Sequence, residues 1–98
     1  MQELVDNVVQ WASDRNLIEG STPEKQFLKT VEEMGEVANA LGKNDLPELM
    51  DGIGDVTVTL IIMAAQLGVK FEDCLALAYD EIKFRKGRMI NGIFVKES

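Results

Sequence analysis

Histidine is absent from this chain, cysteine occurs once, and no apolar run approaches the length of a bilayer. Without histidine or a second cysteine the softer donors that zinc favours are missing. Cys74 standing alone leaves no partner for an intramolecular disulfide, so a reducing compartment is expected. The longest apolar stretch, residues 56–67, is interrupted by Thr57, Thr59 and Gln66 and falls short of the ~20 residues that span a membrane. The opening Met1-Gln2-Glu3-Leu4-Val5-Asp6 lacks the basic start and apolar core of a signal peptide. A cytoplasmic location with no membrane partner is the expectation.

Positive charge is also scarce. Ten Lys and Arg stand against 17 Asp and Glu, a formal charge of -7, which argues against a nucleic-acid polymer or anionic lipid as partner. A small polyanion remains compatible, provided that a divalent cation reverses the local field. With 98 residues, the chain is read as one domain over 1–98. A domain of this size buries only about 60–65% of its unfolded surface. Because 46% of the residues are hydrophobic, a second subunit is the natural cover for the excess, and a homodimer or homotetramer is expected.

The apolar spacing predicts an all-α fold: a four-helix core with a short extended or hairpin tail, assembling as a homo-oligomeric helical bundle. Leu4, Val8, Trp11 and Ala12 mark a first helix that fades near Asn16. Ser21-Thr22-Pro23-Glu24 reads as a second start, with Ser21 as N-cap and Glu24 closing a capping box. Phe27, Leu28, Val31, Met34, Ala38 and Leu41 then form one apolar stripe. Asp45-Leu46-Pro47-Glu48 repeats the start signal, and the third helix runs to Gln66 or Leu67, apolar all round past Gly54 and therefore buried. A fourth helix is expected over residues 71–86, with Leu75, Leu77, Ala78 and Ile82 inward and Gly87 as its stop. Asn91-Gly92 between apolar pairs signals a two-residue hairpin turn. Trp11, Phe27 and Phe71 are expected in the core, with Cys74 a buried small hydrophobe.

Acidic residues concentrate on the middle two helices. Glu33 and Glu36 lie three apart, side by side on one face. Glu48, Asp51 and Asp55 share a stripe of the third helix that continues into Val58, Thr59, Ile62 and Gln66, so the acids sit on a line that turns into core. Unpaired carboxylates there would cost several kcal/mol each, and a divalent cation removes that penalty. Oxygen donors alone suit magnesium, with manganese as an alternative. The other reading of Glu32, Glu33 and Glu36, which point away from their own helix's apolar stripe, is a solvated face. Gly52 and Gly54, each costing roughly 0.5–1 kcal/mol in a helix, suggest a close approach of ligand or backbone, or a local kink.

Glu32-Glu33-Met34-Gly35-Glu36, a spacer, and Asp51-Gly52-Ile53-Gly54-Asp55-Val56 resemble the paired acidic-helix signature of MazG-like nucleotide pyrophosphohydrolases. Residues 78–88 also resemble the last helix and tail of small, phage-type members. The family pattern is Glu-x-x-Glu followed by Glu-x-x-Asp. Glu33 and Glu36 match its first half. In the second half, Gly52 stands three before Asp55, so either Asp51 with Asp55 or Glu48 with Asp51 fills the pattern, and the Gly-Asp-Val context favours the former.

The resemblance implies hydrolysis of a nucleoside triphosphate to monophosphate and pyrophosphate, with metal held by Glu33, Glu36, Asp51 and Asp55 and Glu32 as general base. Lys83, Arg85, Lys86 and Arg88 are candidates for phosphate contact, or simply favourable charge at a helix C-terminus. Two rivals stand beside this reading. One is a dUTP or phosphoribosyl-ATP pyrophosphohydrolase of the same superfamily; the other is a non-catalytic acidic helical adaptor that binds a basic protein.

Overall fold

Two proline-marked start signals generate the longest elements of the chain. In a computed structural model, which describes residues 1–97, they open α2 (Pro23–Lys43) and α3 (Leu46–Gln66). These are preceded by α1 (Gln2–Asp14) and followed by α4 (Phe71–Ile82) and a hairpin of β1 (Gly87–Ile90) and β2 (Ile93–Lys96). Asp45 caps α3 as expected, accepting from the Glu48 N–H at 3.1 Å. At α2 the cap is Thr22 rather than Ser21: its hydroxyl accepts from the Lys25 N–H at 3.2 Å, while its own extended backbone sets the turn into Pro23. Asn44, in the left-handed conformation at φ 54°, reverses the chain between the two helices.

α3 is the central element, with α2 along one side and α1 and α4 against others. The buried apolar residues are small or aliphatic: Val5, Ala12, Ala40, Ile61, Ile62 and Ala64. They are joined by Thr30, Glu33 and Thr59. Gln66 donates to the Leu17 carbonyl at 3.0 Å and ties the α1–α2 loop to the end of α3. Among the described residues no single helix is long and apolar enough to cross a membrane.

Several expected core residues lie outside. The α2 stripe of Phe27, Leu28, Val31, Met34, Ala38 and Leu41 is exposed throughout, because the face that α2 turns to α3 carries Thr30, Glu33 and Ala40 instead. Trp11 is exposed beneath the Arg15 guanidinium, 4.4 Å from its ring centre, and Phe71 is only half-buried. In α4, Leu75, Leu77, Ala78, Ile82 and Cys74 are all exposed, so the expected inward face is left largely uncovered by the rest of the chain.

α4 also stops at Ile82, earlier than expected, and Gly87 belongs to a strand instead of a helix stop. Strand pairing accounts for both: Glu97 donates its N–H to the Lys86 carbonyl at 2.8 Å, so the chain must already be leaving the helix there. A Cβ at Gly87 would collide with the Phe94 ring and the Val95 carbonyl, which makes glycine obligatory at this crossing. The Asn91-Gly92 turn forms as expected, with φ of 51° and 80°.

The radius of gyration is 15.9 Å. Compact domains near 100 residues have values of about 13 Å. The excess reflects an arm of α4 and hairpin that extends from the helical body.

Candidate active site

The seam between α2 and α3 is narrow because its contacts are small. Gly52 lies against Val37, where an added Cβ would stand 3.0 Å from the Val37 Cγ2 atom. Seven residues away on each helix, two turns along, Thr30 donates its hydroxyl to Thr59 Oγ1 at 2.8 Å, and Thr59 donates to the Val56 carbonyl at 2.6 Å. Both threonines are buried. The close approach suggested by the two glycines is therefore made by Gly52, while the space beside Gly54 is open.

Glu33 and Asp55 sit between those two contacts, one turn from Thr30 and Thr59 respectively. Glu33 is buried, its side chain 11% exposed. Its Oε1 meets the Lys29 ammonium at 3.4 Å, and its Oε2 is buried without a hydrogen-bond partner. Such an atom is costly to leave unsatisfied. Asp55 is half-buried and Asp51 exposed, while the stripe continues into buried Thr59 and Ile62, as the sequence implies.

The carboxylates stand as two pairs that sense each other across the seam. Glu36 is raised above its ordinary value by the neighbouring Glu33 carboxylate, which competes for the same proton and adds its own charge. Asp55 is raised first by burial, next by the charge of Asp51, then by that of Glu33 from the facing helix. Lys29, exposed at the edge, is raised by the charge of Glu32 and by its hydrogen bond to Glu33.

All of these donors are carboxylate oxygens, the set suited to magnesium. The unsatisfied Glu33 oxygen and the disfavoured charge on Asp55 are both relieved by a cation. Among the described residues, however, no three acids converge tightly enough to form a metal-binding group in the single chain. The donor chemistry fits a divalent cation.

The remaining candidates are dispersed. Glu32 lies on the outer side of α2, 61% exposed and 3.5 Å from Lys29, within electrostatic reach of Glu36. Glu48 is in the first turn of α3, 4.0 Å from Lys43. Lys83 pairs with Asp80 at 3.0 Å, just past the end of α4. Arg85 and Lys86 occupy the link to the hairpin and Arg88 is in β1, so these cations do not share the helix terminus expected for them.

Sequence reasoning missed Lys29 and the threonine pair. Lys29 was detectable as the cation four residues before Glu33 on one helix face. The Thr30–Thr59 bond joins residues 29 apart, and no spacing rule within either helix announces it.

Residues 21–89, which contain Glu32, Glu33, Glu36, Glu48, Asp51 and Asp55, match the MazG nucleotide pyrophosphohydrolase domain. A protein described as an uncharacterized 18.2 kDa protein in the rep-hol intergenic region of Haemophilus phage HP1 is 48% identical over 66 residues. That alignment covers 67% of this chain and 40% of the relative, so the chain spans less than half the length of that protein. No solved structure matches the chain. With more than two thirds of its length in the match, acidic helices included, the chain belongs to the MazG nucleotide pyrophosphohydrolase domain family.

Proposed function

We propose that the chain hydrolyses nucleoside triphosphates to nucleoside monophosphate and pyrophosphate, with magnesium or manganese as cofactor, and that it works as a homodimer or homotetramer. The observation that carries this reading is the facing of Glu33, with a buried and unsatisfied oxygen, toward a half-buried Asp55 across the α2–α3 seam. A solvated acidic surface gives neither feature.

Glu33 and Glu36 from α2, with Asp51 and Asp55 from α3, hold the cation. Asp51 is preferred to Glu48 because it acts directly on Asp55, whereas Glu48 lies beside Lys43 at the helix turn. A magnesium ion held there would supply charge neutralisation for the phosphates and would lower the pKa of a nearby water. Glu32 would act as general base toward the attacking water, with Lys29 restraining its carboxylate. Thr30 and Thr59 keep the two helices in register, so that the pairs close on a common centre. Lys83, Arg85, Lys86 and Arg88 contact the phosphates. The exposed α2 stripe and the exposed α4 leucines supply the surface that a second copy covers.

Pyrophosphate release from a panel of nucleoside triphosphates, with dUTP and phosphoribosyl-ATP included, tests the reading. Release that requires magnesium or manganese is the expected result. No release from any member with either metal would overturn it and favour the adaptor.

A further inference from the structure

Lys29 stands apart from the other basic residues of this chain. Among the described residues it is the one cation within 4.0 Å of any of Glu32, Glu33, Glu36, Asp51 and Asp55. It meets two of them at once, Glu32 Oε1 at 3.5 Å and Glu33 Oε1 at 3.4 Å. An ammonium carries three N–H donors, so one side chain can serve both. It does so from the helix surface, with its own side chain 52% exposed. Exposed ion pairs at this spacing add little to stability, so folding alone gives small reason for this one.

The two oxygens of Glu33 differ in their surroundings. Oε1 is held by Lys29, while Oε2 is buried and has no hydrogen-bond partner. Glu32, three residues beyond Lys29, is exposed, and Glu33, four beyond it, is buried, so the ammonium bridges the outer and inner sides of α2. Its charge also reaches Glu36 and Asp55, opposing upward shifts set first by Glu33 and by burial respectively.

We infer that Lys29 is a positioning residue: by keeping Oε1 of both glutamates it leaves Glu33 one oxygen, Oε2, for a metal ion, and it holds Glu32 at the rim as a base instead of a further ligand. This rests on the proposed pyrophosphohydrolase reading and adds the division of roles between two adjacent glutamates. Two carboxylates next to each other in sequence are chemically alike, and the shared ammonium supplies the difference between them. Without it, Glu32 is free to swing inward and add a carboxylate to the cation, and a repelling charge beside that cation is gone. Metal then binds more tightly while hydrolysis slows.

Lys29→Met tests this, because it deletes the charge and keeps most of the length. Manganese is the probe. Its affinity is measured without nucleotide, from the free ion's electron paramagnetic resonance signal at constant ionic strength, and kcat is measured as pyrophosphate release at saturating manganese. Removing one positive charge from beside a divalent ion should tighten manganese binding roughly tenfold, even at the dielectric constant of water. The kcat should fall roughly tenfold, short of the ~10²–10⁴ lost with a general base itself. Lys29→Arg keeps a cation within reach of both oxygens and should return both values close to wild type. Lys25→Met, one turn earlier on α2 and exposed, removes the same charge outside the site and should change neither.

Movement of affinity and kcat in opposite directions is the signature, because an ion pair that only steadies α2 moves neither. Wild-type kcat in Lys29→Met would overturn the inference, whatever its affinity. Weaker manganese binding would overturn it as well, since the ammonium would then be needed to gather the ligands. So would a Lys29→Arg variant as impaired as Lys29→Met. A wild type that binds no manganese and releases no pyrophosphate would instead remove the underlying functional reading.

Discussion

Across the α2–α3 seam, glycine, threonine and alanine let two backbones come close, and the largest apolar side chains of α2 point away from the contact. The arm of α4 and the hairpin is built the opposite way, with its aliphatic and aromatic side chains exposed and no buried residue in α4, β1 or β2. In the first region the chain satisfies itself with tight, polar-punctuated packing that holds four carboxylates in place. In the second its apolar side chains stay exposed, with no buried residue to anchor them. A chain of 98 residues is too small to bury both.

The largest expected effect attacks the seam. Asp55→Asn removes one negative charge from the site while keeping the side chain's shape, and should lower pyrophosphate release by roughly 10²-fold or more, given the several kcal/mol that a metal ion contributes to transition-state charge. Circular dichroism should remain unchanged, because the half-buried side chain is not part of the core. Unaltered turnover would place Asp55 outside the site.

Next in size is a charge placed on the exposed apolar stripe of α2. Val31→Glu, at a position half exposed in the single chain, should weaken self-association by about 2–4 kcal/mol, roughly 30- to 700-fold, if the position lies at the centre of an interface. Analytical ultracentrifugation reads this directly, with Gln10→Glu on exposed α1 as the control expected to change nothing. A wild-type chain that sediments as a stable monomer at high concentration would break the comparison at its root.

The elements themselves were legible because caps and period are local. Asp45 with Pro47 opened α3 and Asn91-Gly92 turned the hairpin just as their spacing suggested. The acidic stripe of α3 was equally readable, since its continuation into Thr59 and Ile62 is a property of one helix. The sequence was misleading about which face is inside. A stripe of Phe27, Val31 and Met34 reads as core in any chain, and only the facing helix reveals that α2 turns Thr30 and Glu33 inward instead. The end of α4 was lost for a similar reason: strand pairing at Lys86 and Glu97, a non-local event, overrides the helical pattern of residues 83–86.

A smaller effect comes from proton and metal linkage at the two acid pairs. Glu36 and Asp55 are raised above their ordinary values, by the neighbouring Glu33 carboxylate and by burial respectively. A raised carboxylate means that the native state holds protons which the unfolded state has released. Stability without metal should therefore fall as pH rises from about 4 through the raised native values, then level off. Magnesium at ten times its dissociation constant should contribute about 1.4 kcal/mol at pH 7, if it binds the folded form alone. For a domain near 100 residues this is a rise of about 6–11 °C in melting temperature at fixed protein concentration. Sodium chloride at equal ionic strength should not reproduce it, and identical melts in the two salts would leave the acids as a solvated face.

The smallest expected effect separates the two glycines of α3 and tests whether the seam is as tight as its contacts indicate. Nothing lies within 4 Å of a Cβ added at Gly54, so Gly54→Ala should gain the helix preference of alanine, about 0.5–1 kcal/mol, or about 2–8 °C in melting temperature. Gly52→Ala gains the same preference but sets its methyl 3.0 Å from Val37 Cγ2, with the Val37 Cα 3.7 Å away. Valine is stiff at χ1 in a helix, so relief requires α2 to move by a few tenths of an ångström. Gly52→Ala should therefore melt below Gly54→Ala. Trimming the obstacle should restore the difference: in a Val37→Ala background, Gly52→Ala should be worth more than it is in the wild type, a positive coupling that a double-mutant cycle measures. Equal melting of the two single variants would show a compliant seam. A destabilising Gly54→Ala would instead show that the space open beside α3 in one chain is filled in the assembly.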